Sequence, residues 1–205
     1  MNSSNGILES RRHGRFALST LRADGEDALD RYVSAIEAEI ARPGGQGLFS
    51  FDREDLANRD ATVFQLVDAE SGCLAAGLHA VVDGGRAQRL QGAIVDPAYR
   101  GRGLLKVLAA IARETEVRLG LLGTRCVVRV YPDGTVNVPS LRSFAAVGIS
   151  PEPGIGRIRL RGDRCDRHLF ATAERDGAIR FLTLSGDEST LGLAFRELTE
   201  WTKRQ

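Results

Sequence analysis

Residues 94–112, IVDPAYRGRGLLKVLAAIA, constrain this chain more than any other stretch. Ile94 and Val95 close an apolar run, and Asp96-Pro97 stops it, because proline cannot donate to a sheet ladder. Arg100-Gly101-Arg102-Gly103 turns the chain, and Leu104, Leu105, Val107, Leu108 and Ile111 then recur at helical spacing. A strand, a glycine turn and a helix in that order leave backbone N–H groups without intrahelical partners at the positive end of the helix dipole. Such a terminus binds anions, phosphates above all, and glycine lets the anion come close to the backbone. The common phosphate motifs do not fit: there is no G-x-x-x-x-G-K-[ST], and of G-x-G-x-x-G only Gly101-x-Gly103 is present.

The rest of the chain supplies elements around this turn. Residues 1–14 are polar and read as a flexible arm. Residues 15–21 read as a first strand. Asp24-Gly25-Glu26-Asp27 offers N-cap chemistry for a helix whose apolar stripe is Leu29, Tyr32, Val33, Ile36 and Ile40, ended at residues 43–47. Residues 48–60 follow no clear period and have room for one helical turn. Residues 62–68 and 73–82 alternate as a hairpin across Glu70-Ser71-Gly72, and Asp83-Gly84-Gly85 leads into a third strand, 86–95. Arg86, Gln88 and Arg89 mark the wet side of that strand. After the central helix, with Gly120 and Gly123 as terminators, residues 126–130 form a short apolar strand suited to the middle of a sheet. Pro139 and Gly148 bracket a further helix. Residues 155–161, 168–172 and 178–184 read as strands, the last entered by a turn at 174–177. Asp187 or Ser189 caps a final helix over 191–203 with Leu193, Ala194, Leu198 and Trp201 on its apolar side.

A chain of 205 residues holds one sizeable α/β domain. With a formal net charge of +1, nothing draws the whole molecule toward nucleic acid or an anionic membrane. No apolar run approaches the roughly 20 residues of a membrane span, and the N-terminus lacks the apolar core of a signal peptide. Cys73, Cys126 and Cys165 are isolated and odd in number, and His13 and His168 stand alone, so neither a disulfide framework nor a metal site is expected. The expectation is a cytoplasmic protein with free thiols.

The central stretch resembles the coenzyme A signature of the GNAT acetyltransferase superfamily, [QR]-x-x-G-x-[GA] preceded by V-x-P-x-[YF]. Val95, Pro97, Tyr99, Arg100 and Gly103 match it, and Leu105 stands where the family has a small residue. A second stretch, residues 137–149, is similar to the family's N-x-x-[AS]-x-x-x-Y-x-x-x-G-F with every spacing kept, through Asn137, Ser140, Phe144, Gly148 and Ile149. The order β-α-β-β-β-α-β also matches that fold. The resemblance implies an α/β (α+β) architecture: a central mixed, mostly antiparallel twisted sheet flanked by helices. It covers residues 15–173; residues 174–205 are expected as an extra strand and helix packed on the same domain.

The resemblance further implies acetyl-CoA, or another acyl-CoA, as co-substrate, with no metal. Its pyrophosphate is expected on Arg100, Gly101, Arg102, Gly103, Leu104 and Leu105, with Lys106 adding charge. Its pantetheine arm is expected along Ile94 and Val95, near Asn137, Ser140 and Phe144. The implied activity is direct acyl transfer to an amine. Phe144 occupies the position of the family's usual thiolate-protonating tyrosine and cannot donate, which leaves Tyr131, Ser140 or Ser143 as substitute donors. His79, in the strand over 73–82, is the candidate general base. Cys73 and Cys126 lack a paired base and are not expected to act as nucleophiles. The alternative is a GNAT-fold protein that binds CoA or acyl-CoA with little or no turnover. No nucleic acid or membrane partner is expected; the final strand and helix are candidates for covering the acceptor side or forming a homodimer.

Overall fold

The computed structural model describes residues 7–22, 26–42, 52–58, 61–130, 135–151, 159–160, 173–176 and 179–204. In chain order these form β1 (Ile7–His13), β2 (Phe16–Arg22), α1 (Glu26–Ala41), α2 (Arg53–Asn58), β3 (Thr62–Asp68), β4 (Leu74–Asp83) and β5 (Ala87–Val95). A 3₁₀ turn (Pro97–Tyr99), α3 (Leu104–Arg118), β6 (Gly123–Val130), β7 (Thr135–Val136), α4 (Val138–Ala146) and the short strands β8 (Ser150–Pro151) and β9 (Arg159–Leu160) follow. The hairpin β10 (Ala173–Asp176) and β11 (Ile179–Asp187), a second 3₁₀ turn (Glu188–Thr190) and α5 (Leu191–Lys203) complete them.

The main sheet path runs β1-β2-β3-β4-β5-β6-β11-β10. Every neighbouring pair along it is antiparallel except β5 and β6, which are parallel and therefore need the long crossover that α3 supplies. Helices cover both faces. On one, Leu29, Tyr32 and Ile36 of α1 and Leu56 of α2 pack on Leu21, Val63 and Ile94. On the other, α3 is buried along most of its length, from Leu104 and Leu105 to Ile111 and Ala112, beneath α4 and α5. Apolar residues all round a helix require cover on both sides; Ala194 and Trp201 of α5 supply part of it.

Several expectations change. Residues 7–13, read as arm, form β1, which pairs with β2 from His13↔Phe16 to Ile7↔Leu21; backbone pairing is available to a polar segment as well as an apolar one. Residues 174–176, read as a turn, belong to β10. Within 174–205, the expected strand is β11, which pairs with β6 over eight residues from Asp187↔Gly123 to Arg180↔Val130 and so lies inside the sheet, and the expected helix is α5. Gln88, assigned to the wet side of its strand, is buried: its Nε2 donates to Ala112 O (2.7 Å) and Thr124 Oγ1 (2.7 Å). A polar side chain is buried without loss when its hydrogen bonds are made. The strand expected over 168–172 lies outside the described residues, as does most of that over 155–161.

The network around Gln88 continues into α3. Thr124 Oγ1 donates to Glu116 Oε2 (2.5 Å), which also accepts from Arg113 Nη1 (2.8 Å). Arg113 Nη2 reaches the Asp187 carbonyl (2.5 Å) and Thr190 Oγ1 (3.0 Å). Arg113 and Glu116 are almost fully buried, so this ion pair rivets the C-terminal half of α3 to β6 and to the end of β11. Burial pushes the Glu116 carboxyl above its ordinary range and the Arg113 guanidinium below its own.

Candidate functional site

β5 and β6 pair only from Ala87↔Gly123 to Leu90↔Cys126. β5 continues to Val95 with β4 beside it, and β6 continues to Val130 with β11 beside it. Beyond Leu90 and Cys126 the two parallel strands are no longer partners, and the sheet opens between them. The opening lies at the C-terminal ends of both strands, the end from which the chain enters α3.

At that mouth the turn is built residue by residue. Asp96 Oδ1 accepts from Ala98 N (2.9 Å), which starts the 3₁₀ turn, and Pro97 fixes its first φ. Tyr99 is buried and its hydroxyl donates to Asp68 Oδ2 (2.6 Å) at the end of β3. Arg15 Nε donates to the same oxygen (2.7 Å), while Asp68 Oδ1 accepts from Glu70 N (2.9 Å). The Arg15 guanidinium, and then the Tyr99 hydroxyl, hold the Asp68 carboxyl well below the usual carboxylate range, so it is an anion throughout the neutral range. Past Tyr99, Gly101 (φ 79°) and Gly103 (φ 74°) adopt left-handed backbone that β-carbons disfavour. A Cβ at Gly101 would meet nothing within 4 Å, and one at Gly103 only Lys106 Cε at 3.7 Å, so the protein leaves the space against both residues open. Gly103 is the N-cap of α3 and no side chain caps that end. Open space, glycine backbone and a helix terminus without a side-chain cap are the features of an anion-binding turn, and they coincide here at Gly101 and Gly103.

The predicted cradle residues divide by role. Leu104 and Leu105 are buried in the main core, so Leu105 points away from the open space. Arg100 donates from Nη2 to both Glu39 carboxylate oxygens (3.0 and 3.2 Å) and from Nε to the Val95 carbonyl (3.2 Å), tying the turn to α1. Arg102 lies over the Tyr99 ring at 5.4 Å. Lys106 pairs with Glu197 of α5 (2.6 Å). Ile94 is buried against α1, and Val95 packs partly buried against the α3 side. Asn137 caps α4, its Oδ1 accepting from Ser140 N (3.3 Å), and Ser143 Oγ donates back to Pro139 O (2.8 Å). The Phe144 ring is buried in the main core. Tyr131 lies outside the described residues.

His79 lies on the opposite face of the sheet from α3, fully buried. Its Nδ1 is 2.8 Å from the Tyr32 hydroxyl, which donates to the Gly92 carbonyl (2.7 Å). The hydroxyl has one proton, so with that proton on Gly92 O it accepts from His79 Nδ1–H. No sequence motif marks Tyr32, Gly92 or Asp68 as a site residue. Tyr32 shows there only as one position of an apolar stripe, and Gly92 only as a glycine within a strand, which is the pattern of a bulge.

No protein-family model matches the sequence, and no curated protein aligns with it. Solved structures do match the fold. The acetyltransferase (GNAT family) from Bacillus anthracis is similar with a TM-score of 0.51 and 16% identity, covering 88% of this chain and 99% of that one. This is the GNAT fold. Ribosomal-protein-S5-alanine acetyltransferase from Vibrio fischeri shares it at a TM-score of 0.57 and 13% identity, over 89% and 98% of the two chains. Spermidine N-acetyltransferase from Vibrio cholerae, solved in complex with CoA and spermine, shares it at 0.54 and 13%, over 86% and 98%. The expected fold class is thus the observed one.

Proposed function

We propose that this protein is an acyl-CoA-dependent N-acyltransferase, in its simplest form moving an acetyl group from acetyl-CoA to a primary amine of a small molecule or a protein. The observation that supports this best is the parting of β5 from β6 beside the uncapped N-terminus of α3. An extended pantetheine arm can add to the free edge of β5 as a strand does, while the pyrophosphate takes the N–H groups from Gly101 to Leu105. The side chains of Arg100 and Lys106 already hold carboxylates, so backbone groups carry most of the phosphate recognition in this reading.

In the transfer the amine nitrogen attacks the thioester carbon; a C–N bond forms and the C–S bond breaks, with its electron pair leaving on sulfur. One proton leaves the nitrogen and one reaches the thiolate. Phe144 has no proton to give, and His79 is enclosed with Tyr32 rather than facing the opening. We assign the thiolate proton to Tyr131, which follows β6 in sequence, and the amine proton to water at the opening. Isothermal titration with acetyl-CoA and with free CoA tests the cradle, and an amine panel monitored by thiol release tests turnover. Binding with release of CoA in the presence of an amine supports the enzyme. Phe144 favours a second reading, a CoA-binding protein without turnover, and binding with no release across the panel selects it.

A further inference from the structure

The bulge in β5 has a dedicated support. Across β4 and β5, Gly77 pairs with Ile94 and His79 with Gln91, so Gly92 and Ala93 together oppose Leu78 alone. That extra residue kinks β5 two residues past Leu90, the last residue of β5 paired with β6. Gly92 has φ 60°, open to glycine and strained for other residues. Two glycines clear a slot for the Tyr32 ring. A Cβ at Gly77 would come within 2.5 Å of Tyr32 Cδ2, and one at Gly92 would collide with the Tyr32 hydroxyl and reach 2.8 Å from His79 Nδ1. Through that slot the hydroxyl takes the Gly92 carbonyl, and His79 packs edge-on to the Tyr32 ring at 5.9 Å while completing the hydroxyl's hydrogen bonds. Burial raises the Tyr32 hydroxyl well above its ordinary pKa, which keeps its proton in place. A buried tyrosine needs only apolar contacts and one hydrogen bond. This one is bonded twice, at the point where a sheet strand leaves its neighbour.

We infer that Tyr32 and His79 are positioning residues that clasp the Gly92 bulge from the α1 side and thereby set the edge that β5 presents to the acyl end of the donor. A trans peptide points its N–H opposite to its carbonyl, so fixing Gly92 O toward Tyr32 also fixes the Ala93 N–H away from α1. The inference rests on the acyltransferase reading for its effect on rate, though the clasp itself is a property of the fold.

The test is Tyr32→Phe, which keeps the ring in its slot and removes the hydroxyl, beside His79→Asn, whose amide nitrogen restores a donor near Nδ1, and His79→Leu, which does not. Hydrogen–deuterium exchange of a peptide spanning residues 91–95 should be about ten-fold faster in Tyr32→Phe and His79→Leu and near wild type in His79→Asn. With a competent amine, kcat should fall about 10²-fold in Tyr32→Phe while the dissociation constant for acetyl-CoA stays within about two-fold. Unchanged exchange overturns the clasp. Faster exchange with unchanged kcat, or kcat and affinity falling together with the folded fraction, overturns the positioning role. If wild-type protein binds no acyl-CoA, the acyltransferase reading fails separately, and the exchange rates alone then support or overturn the clasp.

Discussion

The Tyr99 hydroxyl lies 2.6 Å from Asp68 Oδ2, joining the 3₁₀ turn before the glycine cradle to the hairpin between β3 and β4. Arg15 donates to the same oxygen, so two separate stretches of chain are tied to the end of β3 through it. The turn is thereby anchored to the sheet independently of any ligand. Replacing Tyr99 with Phe keeps the ring in the core but leaves a buried carboxylate short of a donor. The variant should unfold at lower urea concentration and bind acetyl-CoA several-fold more weakly, both readable by denaturation and calorimetry. Unaltered affinity would separate the anchor from the cradle.

The same carboxylate sets a pH dependence. Because its folded-state pKa is lowered, Asp68 contributes stability that is complete above the unfolded value of about 3.9 and is lost only as pH falls toward the folded one. The stability difference between wild type and Asp68→Asn should therefore be flat across neutral pH and shrink only below about pH 4. A difference that already declines between pH 7 and 5 would contradict this assignment.

Gly103 should tolerate no larger residue. Glutamate there combines left-handed backbone, which costs about 1–2 kcal/mol for a residue with a β-carbon, with a negative charge in the open space of the cradle. Acetyl-CoA binding should disappear while circular dichroism stays that of the wild type. Gly101→Ala carries the strain without the charge and should weaken binding to a smaller degree.

Arg100 is engaged by Glu39 before any ligand arrives. Glu39→Gln should free the guanidinium for phosphate and tighten acetyl-CoA binding a few-fold at low salt, an advantage that fades as ionic strength rises. Stability should change by no more than about 1 kcal/mol, as for other exposed ion pairs.

The buried pair in α3 behaves differently. Arg113→Met leaves Glu116 charged and enclosed, and should cost about 3–5 kcal/mol in urea denaturation. Arg113→Met with Glu116→Gln removes both charges and should recover a good part of that loss, giving a large coupling in the double-mutant cycle.

What the sequence makes legible is local. The glycine turn, the helix after it, the β3–β4 hairpin and the helix bracketed by Pro139 and Gly148 depend on residues within a few positions of one another, and the structure places them as the pattern predicts. Leu105 and Phe144 were legible as departures from the GNAT pattern, but only packing shows both side chains in the core. The burial of Gln88 escapes the alternation pattern, which counts polarity and cannot see a partner 24 residues away at Ala112 O. The Tyr32 clasp spans 47 residues to His79 and 60 to Gly92, so no local window contains it. The same holds for β11: a hydrophobic alternation says that a strand exists, whereas its place between β6 and β10 follows from which edges remain to be paired once the chain has folded. Periodicity and turn chemistry are short-range properties of the chain and specify the elements. The opening between β5 and β6, and the groups that frame it, arise from long-range pairing that only the folded sheet decides.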